Sequence, residues 1–144
     1  MFHIKILLAT DGSDNSIRAS DYIIKLSGYG LKLEVTVLSV IPLTKDMSIY
    51  LGVNEDEYNR LSDIRVRSIF EPFEEAFNKY ENIKASFITV NGEIPEAIVS
   101  FANEGQYDQI IIGSRGLSNV KEFFLGSVSH KVVRLAQCPV VIVK

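Results

Sequence analysis

Apolar residues are gathered into five short runs along the chain, separated by longer stretches of mixed polarity. Near-continuous apolar runs of this length are typical of strands that are buried on both faces of a sheet. Because each intervening stretch is long enough to hold a helix, the strands are predicted to be parallel and joined by right-handed crossovers. The predicted strands are residues 4–9, 33–41, 83–90, 107–112 and Val140–Val143.

The stretches between the strands carry the spacing of amphipathic helices. One helix is predicted from about Asp14 to the glycines that follow Ser27, and a longer one over residues 55–80. The phenylalanines of the longer helix are assigned to the core. Because the apolar stripe of this helix keeps the same helical spacing before and after Pro72, we expect a kink there and not two helices. Two more helices are predicted, over residues 95–104 and from Gly126 to about Ala136. Residues 43–54 are expected to form a long loop, a candidate lid or partner-contact segment.

This alternation predicts a single-domain α/β fold over residues 1–144. We expect a doubly wound, open, parallel five-stranded sheet in the order 3-2-1-4-5, with helices on both faces. A chain of 144 residues can bury one sizeable core without disulfides or metals.

Charge and composition narrow the class of protein. The net charge of −3 favours neither nucleic acid nor an anionic membrane as a partner. The first apolar run is too short for a signal peptide, and no run reaches membrane-spanning length. Cys138 is the single cysteine, so no internal disulfide is expected, and a small buried residue is favoured over a redox group. We therefore expect a cytoplasmic protein.

The most informative polar segment lies between the fourth strand and the last helix. It contains Gly113, Gly116 and Gly126, followed by the hydroxyls of Ser127 and Ser129. Such a segment can hold a phosphate through backbone N–H groups and the positive end of the helix dipole. A tight turn without a ligand would use the same residue types, so both readings stay open. The G-x-x-x-x-G-K-[ST] and G-x-G-x-x-G phosphate motifs are absent from the sequence.

A second polar loop follows the first strand and contains Thr10, Asp11 and Ser13. If strands one and four are neighbours, the two loops line one crevice at the carboxyl edge of the sheet, where doubly wound folds bind ligands. Asp11 is then a ligand-binding residue; the alternative is that it only caps the first helix.

The spacing of the glycines resembles a family signature. Gly113, two residues, Gly116, nine residues and then Gly126–Ser127 is similar to the ATP-binding signature of the universal stress protein family. The first strand and its turn, and the segments that begin at Gly92 and Asp108, are similar to the same family, so the resemblance runs along the whole chain. It implies membership of the branch that binds ATP.

The resemblance also implies which residues contact ATP, through close backbone approach at glycines and through N–H and hydroxyl groups near the phosphates. The implied ribose and phosphate contacts are Gly113, Arg115, Gly116, Gly126, Ser127, Val128 and Ser129, and the implied adenine and ribose contacts are Ala9, Thr10, Asp11 and the backbone of Val40.

Other polar residues are not expected to act on a substrate. For Arg115, the alternative to a phosphate contact is a solvated position in the loop. Lys121 is expected at the surface. His130 follows the serine-rich turn, but no carboxylate in the pattern orients it, so we expect an exposed helical histidine. No catalytic residue and no metal ligand is predicted.

We therefore expect an ATP-binding stress-response or regulatory module that acts through conformation or through protein partners that the sequence does not identify. The alternatives are slow ATP hydrolysis with Mg²⁺ or Mn²⁺ and a nucleotide-independent scaffold. Residues 10–16 also faintly resemble the Ser-Gly-Gly-x-Asp-Ser loop of ATP pyrophosphatases, but the paired glycines are missing. Val140–Val143 is expected at a sheet edge, and pairing of this edge in a homodimer, as in the dimers of the family, would cover it.

Overall fold

The computed structural model describes residues 3–42, 52, 54–114 and 126–144. The expected alternation of strands and helices is confirmed in these residues. Most of the predicted 43–54 loop, together with Arg115, Gly116 and Lys121, lies outside them. The elements are β1 (His3–Ala9), α1 (Asp14–Ser27), β2 (Lys32–Ile41), α2 (Glu55–Phe77), β3 (Ile83–Asn91), α3 (Ile94–Glu104), β4 (Gln109–Gly113), α4 (Ser127–Leu135) and β5 (Val140–Val143).

The strands form one parallel sheet in the order β3-β2-β1-β4-β5, which confirms the predicted order. Strand β1 lies at its centre, and Ala9 is aligned with Leu38 of β2 on one side and with Ile112 of β4 on the other. Strands β3 and β5 are the two edges, so the edge position expected for Val140–Val143 is confirmed.

Helices cover both faces of the sheet, as predicted, because successive strand residues point to opposite faces. One face carries Ile6 and Leu8, which pack with α1 and α2. The other face carries Leu7 and Ala9, which pack with α3 and α4. The side chains of Ile6, Leu7 and Leu8 are all 0% exposed, which explains why β1 has no polar residue at these positions.

Helix α2 is one continuous helix through Pro72, as expected, but it ends earlier than the predicted residue 80. Asn78 closes the helix, and the N–H of Tyr80 donates to the carbonyl of Phe77 at 3.1 Å in the turn that leads to β3. Tyr80 is therefore 37% exposed and is not part of the buried stripe, whereas Phe73 and Phe77 are buried in the core as predicted.

Two connections leave the sheet at its carboxyl edge close to β1. The N–H of Thr10 makes the last bond between the β1 segment and β2, to the carbonyl of Leu38 at 2.9 Å, and the chain then turns into α1. Since β4 lies on the other side of β1, the polar segment after β4 starts beside this turn. In the part of the chain that the structure describes, no helix has the length and apolar character needed to cross a membrane.

Candidate functional site

An open cavity of about 590 Å³ lies at the carboxyl edge of the sheet. Its walls come from the ends of β1, β2 and β4, the starts of α3 and α4, and one face of α2. The structure brings together around it every predicted site residue that it describes. These residues are Ala9, Thr10, Asp11, Val40, Gly113, Gly126, Ser127, Val128 and Ser129. The remaining two, Arg115 and Gly116, lie outside the described residues.

The turn after β1 is held by its own side chains. The hydroxyl of Thr10 donates to Ser16 Oγ at 2.8 Å and accepts from the N–H of Gly12 at 3.0 Å. Asp11 Oδ1 accepts from the N–H of Ser13 at 2.9 Å, which is an Asx turn. The residue that precedes α1 as its N-cap is Ser13, so the alternative role of Asp11 as the cap of this helix is wrong. Asp11 is exposed at the cavity, and its carboxylate keeps one oxygen outside this bond.

Gly113 allows the end of β4 to lie against the start of α1. A Cβ atom at this position would lie 3.0 Å from Asn15 Cβ and 3.1 Å from the backbone nitrogen of Ser16. Both distances are shorter than ordinary van der Waals contacts, so a side chain would push α1 away from the sheet. The glycine therefore has a structural role in the walls of the cavity, whatever the cavity binds.

The start of α4 is anchored through Ser114. The N–H of Gly126 donates to the carbonyl of Ser114, at 2.6 Å, and Ser129 Oγ donates to the same carbonyl at 2.9 Å. The proton of the buried Ser129 hydroxyl is thus engaged within the protein. Ser127 is exposed, and the N–H groups of the first turn have no acceptor inside the helix. Contacts with an anion at this turn would come from Ser127 and from the backbone.

An ion pair joins α4 to α3. Lys131 forms a salt bridge with Glu96, and its hydrogen bond holds the pKa of the Glu96 carboxyl below its ordinary value. His130 on the same helix is exposed, as predicted. Cys138 after the helix is half-buried, less than predicted, and burial raises the pKa of its thiol.

The chemistry of the cavity suits a ligand with a flat apolar part and an anionic part. Leu38, Ile98 and Ile112 contribute apolar wall, while the β1 turn and the start of α4 contribute hydroxyl and N–H groups. Within the described ranges, no group of three or more His, Cys, Asp or Glu side chains is placed to hold a metal ion.

Comparison with known proteins gives the family. The sequence profile described as "Universal stress protein family" matches residues 4–144. The chain belongs to the universal stress protein family. It is 34% identical to the universal stress protein YxiE of Bacillus subtilis, over 97% of this chain and 98% of that protein.

Solved structures agree with this membership. The structure of the hypothetical protein MJ0577 of Methanocaldococcus jannaschii is 30% identical, with a TM-score of 0.76 over 100% of this chain and 97% of that one. A universal stress protein of Archaeoglobus fulgidus, solved in complex with dAMP, is 24% identical, with a TM-score of 0.60 over 100% of each chain. The second similarity supports the fold alone.

One whole wall of the cavity of this universal stress protein consists of residues that are not among the predicted site residues. The N-terminal half of α2 forms this wall with both apolar and polar residues. These residues are Tyr58, Leu61, Ser62, Arg65, Val66 and Ile69. A signal was available, because their spacing continues the helical stripe of the phenylalanines toward the N-terminus of α2. The sequence prediction places this stripe in the core alone and includes none of its polar residues.

We expect Gly113→Ala to lower the free energy of unfolding by about 1–3 kcal/mol, because the added methyl group meets the α1 backbone. Chemical denaturation of the unliganded protein measures this change. Gly28→Ala is the matched control: Gly28 follows α1 with φ −66°, an ordinary helical value, and its added Cβ would approach only the carbonyls of Lys25, at 3.2 Å, and Ile24, at 4.0 Å, which are the contacts that any helical side chain makes with the preceding turn of its own helix. We expect this control to change the free energy of unfolding by less than about 1 kcal/mol. Equal effects of the two substitutions would contradict the close-approach explanation.

Proposed function

We propose that the cavity binds an adenine nucleotide, with ATP as the preferred ligand. On this proposal the protein is a stress-response or regulatory module that acts through conformation or partners. Membership of the family supports a nucleotide ligand in general terms, because another universal stress protein, from Archaeoglobus fulgidus, was solved in complex with dAMP. The preference for ATP rests on the spacing of Gly113, Gly116 and Gly126–Ser127, which resembles the ATP-binding branch.

The start of α4 is the observation that carries the proposal. Its N-cap, Gly126, has no side chain to satisfy the first N–H groups, and its first turn has no acidic residue. The other three helices that the structure describes each carry at least one acidic residue in the first turn. The positive end of the α4 dipole is therefore left without a negative charge from its own first turn, and it lies at the cavity. This supports binding of a phosphate group there.

The end of β2 supports an adenine site at the other side of the cavity. The carbonyl of Leu38 accepts from Thr10, whereas the carbonyl of Ile41 accepts from Gly92 next to β3. Because alternate residues of a strand direct their backbone groups to opposite neighbours, Val40 faces the β1 side, as Leu38 does. Strand β1 has already ended at Ala9, so no strand pairs with Val40 on that side. Its N–H and C=O groups are available to the edge of a base.

We expect Ser127→Asp to weaken ATP binding by about tenfold or more, because its carboxylate occupies the positive end of α4 and repels the phosphates. The same substitution should leave the melting temperature of the unliganded protein unchanged or slightly higher, because an acidic residue in the first turn favours a helix. Titration calorimetry and thermal denaturation measure the two effects.

Ser127→Asn is the matched control, since it has nearly the same size as aspartate without the charge, and we expect it to keep most of the affinity. If the two variants bind ATP equally well, the phosphates do not lie at the start of α4. If the unchanged protein shows no saturable binding at millimolar ATP, the proposed function is wrong and the nucleotide-independent scaffold is favoured.

Asp11 favours slow ATP hydrolysis as a second candidate function. One of its carboxylate oxygens holds the Asx turn, and the other has no donor among the described residues. A carboxylate beside a triphosphate is a suitable ligand for Mg²⁺ or Mn²⁺. Asp11→Asn keeps an acceptor for the N–H of Ser13 but removes the charge, so it should abolish any phosphate release that depends on Mg²⁺ or Mn²⁺. Equal release by the purified protein and by this variant would indicate a contaminating enzyme.

We further propose a homodimer that pairs through Val140–Val143. Strand β5 is an edge, and its four residues are only partly buried. Pairing with the same strand of a second copy would satisfy its outward backbone groups and cover its apolar side chains. Light scattering at micromolar concentration should give about twice the mass of one chain. A mass of one chain, unchanged on tenfold concentration, would contradict this pairing.

A further inference from the structure

Helix α2 is longer than the sheet that it covers, and its N-terminal half projects past the carboxyl edge. Ile69 marks this edge, because its Cγ1 atom lies 3.1 Å from the position that a Cβ of Gly12 would take, just after β1. From Ile69 the helix continues back to Glu55, about 21 Å at 1.5 Å per residue. All buried side chains of α2 lie on the other side of this mark, at Phe70 and beyond. We call residues 55–69 the overhang of α2.

One face of the overhang is turned to the cavity. Its only half-buried residues are Tyr58, Ser62, Val66 and Ile69, which share one helical face, and all four line the cavity. Leu61 lies beside them and also lines the cavity, although it is 43% exposed. Ile64 is 53% exposed and does not line the cavity. The large apolar side chain of Leu61 therefore lies at the cavity wall and is not covered by the core.

The overhang is held as a helix by local interactions at its start. Asn54 is the N-cap, and its side-chain oxygen accepts from the N–H of Glu57 at 2.8 Å. The first turn carries three negative charges, from Glu55, Asp56 and Glu57, and they interact favourably with the positive end of the helix dipole. These contacts stabilise the N-terminal end of the overhang, whereas Val66 and Ile69 at its other end still pack against the core.

The overhang also brings a positive charge to the cavity. Arg65 is the only lining residue with a basic side chain among those that the structure describes. Arg60 on the same helix lies 3.7 Å from Glu57, whereas Arg65 has no salt-bridge partner within the described part of the chain. A guanidinium matches phosphate oxygens with paired N–H donors. Arg65 is exposed and lines the same cavity as Asp11 and the start of α4, which suits a ligand that carries phosphates.

We propose that the overhang of α2 is a binding wall for the nucleotide, in which Tyr58 and Leu61 cover the base and Arg65 pairs with the phosphates. This inference rests on the proposed function and deepens it. The contacts implied by the family resemblance come from β1, β2, β4 and α4 with their loops. Arg65 would set the preference for phosphorylated ligands, and Leu61 the affinity for the base.

The test compares matched pairs of variants on the same helix in the full-length protein. Leu61→Ser is paired with Ile64→Ser, because both remove an exposed aliphatic side chain but only Leu61 lines the cavity. Arg65→Gln is paired with Arg67→Gln, since both remove one positive charge but only Arg65 lines the cavity. Titration calorimetry with ATP and with adenosine gives the affinities, and thermal denaturation without ligand shows that each variant is folded.

We expect Leu61→Ser to weaken ATP and adenosine alike, by about tenfold, because the lost contact is with the base. We expect Arg65→Gln to weaken ATP by at least about tenfold and adenosine by less than twofold, because only ATP carries phosphates. The affinity of Arg65→Gln for ATP should also depend less on salt concentration. Ile64→Ser and Arg67→Gln should bind both ligands as the unchanged protein does.

Three results would overturn the inference, and each has a different consequence for the proposed function. If the unchanged protein binds ATP and the Leu61 and Arg65 variants bind it as tightly as their controls, the overhang is not a binding wall, and the proposed function stands. If Arg65→Gln weakens adenosine as much as ATP, Arg65 contacts the base and not the phosphates. If the unchanged protein binds neither ligand at millimolar concentration, the proposed function is wrong and this inference is wrong with it.

Discussion

The cavity exists because β1 ends before its neighbour β2 does. Strand β1 pairs on both sides and is buried on both faces, but its last aligned residue is Ala9, opposite Leu38. Strand β2 continues to Ile41 and stays paired only with β3. The missing length of β1 leaves a gap at the centre of the sheet edge, bordered by strand ends and helix starts. A ligand in this gap meets backbone groups that the sheet itself leaves unpaired.

Ser114 joins the elements around this gap. Its N–H donates to the carbonyl of Val143 in β5 at 2.8 Å, and its hydroxyl accepts from Asn15 Nδ2 of α1 at 3.2 Å. Its carbonyl accepts from the N–H of Gly126 and from the hydroxyl of Ser129 at the start of α4. A buried residue with its polar groups satisfied in this way fixes the relative positions of the elements it joins. The absence of a side chain at Gly113, one residue earlier, is what lets α1 come close enough for the bond from Asn15.

The sequence was sufficient for the order of elements and for much of the lining of the cavity, since both depend on local patterns. Apolar runs predict β1 to β5, and the spacing of Gly113 and Gly126 draws attention to the start of α4. The close approach of Gly113 to α1 could not be predicted, because it joins positions about a hundred residues apart that share no periodic pattern. The wall at Leu61 and Arg65 could not be assigned either, because one helical stripe serves the core in its C-terminal part and the cavity in its N-terminal part. The residue at which such a stripe passes from the core to the cavity depends on where the sheet ends.

The two ends of the cavity belong to different layers of the fold. Helix α2 packs on the same face of the sheet as α1, whereas α4 packs on the opposite face with α3. The overhang of α2 and the start of α4 both border the gap in the sheet edge. A nucleotide that contacts both would therefore connect two layers that the sheet otherwise separates. Since a ligand stabilises whatever arrangement it binds, its occupancy would favour one relative position of these two helices. Ligand binding would in this way have a physical route to changing the surface that the protein presents.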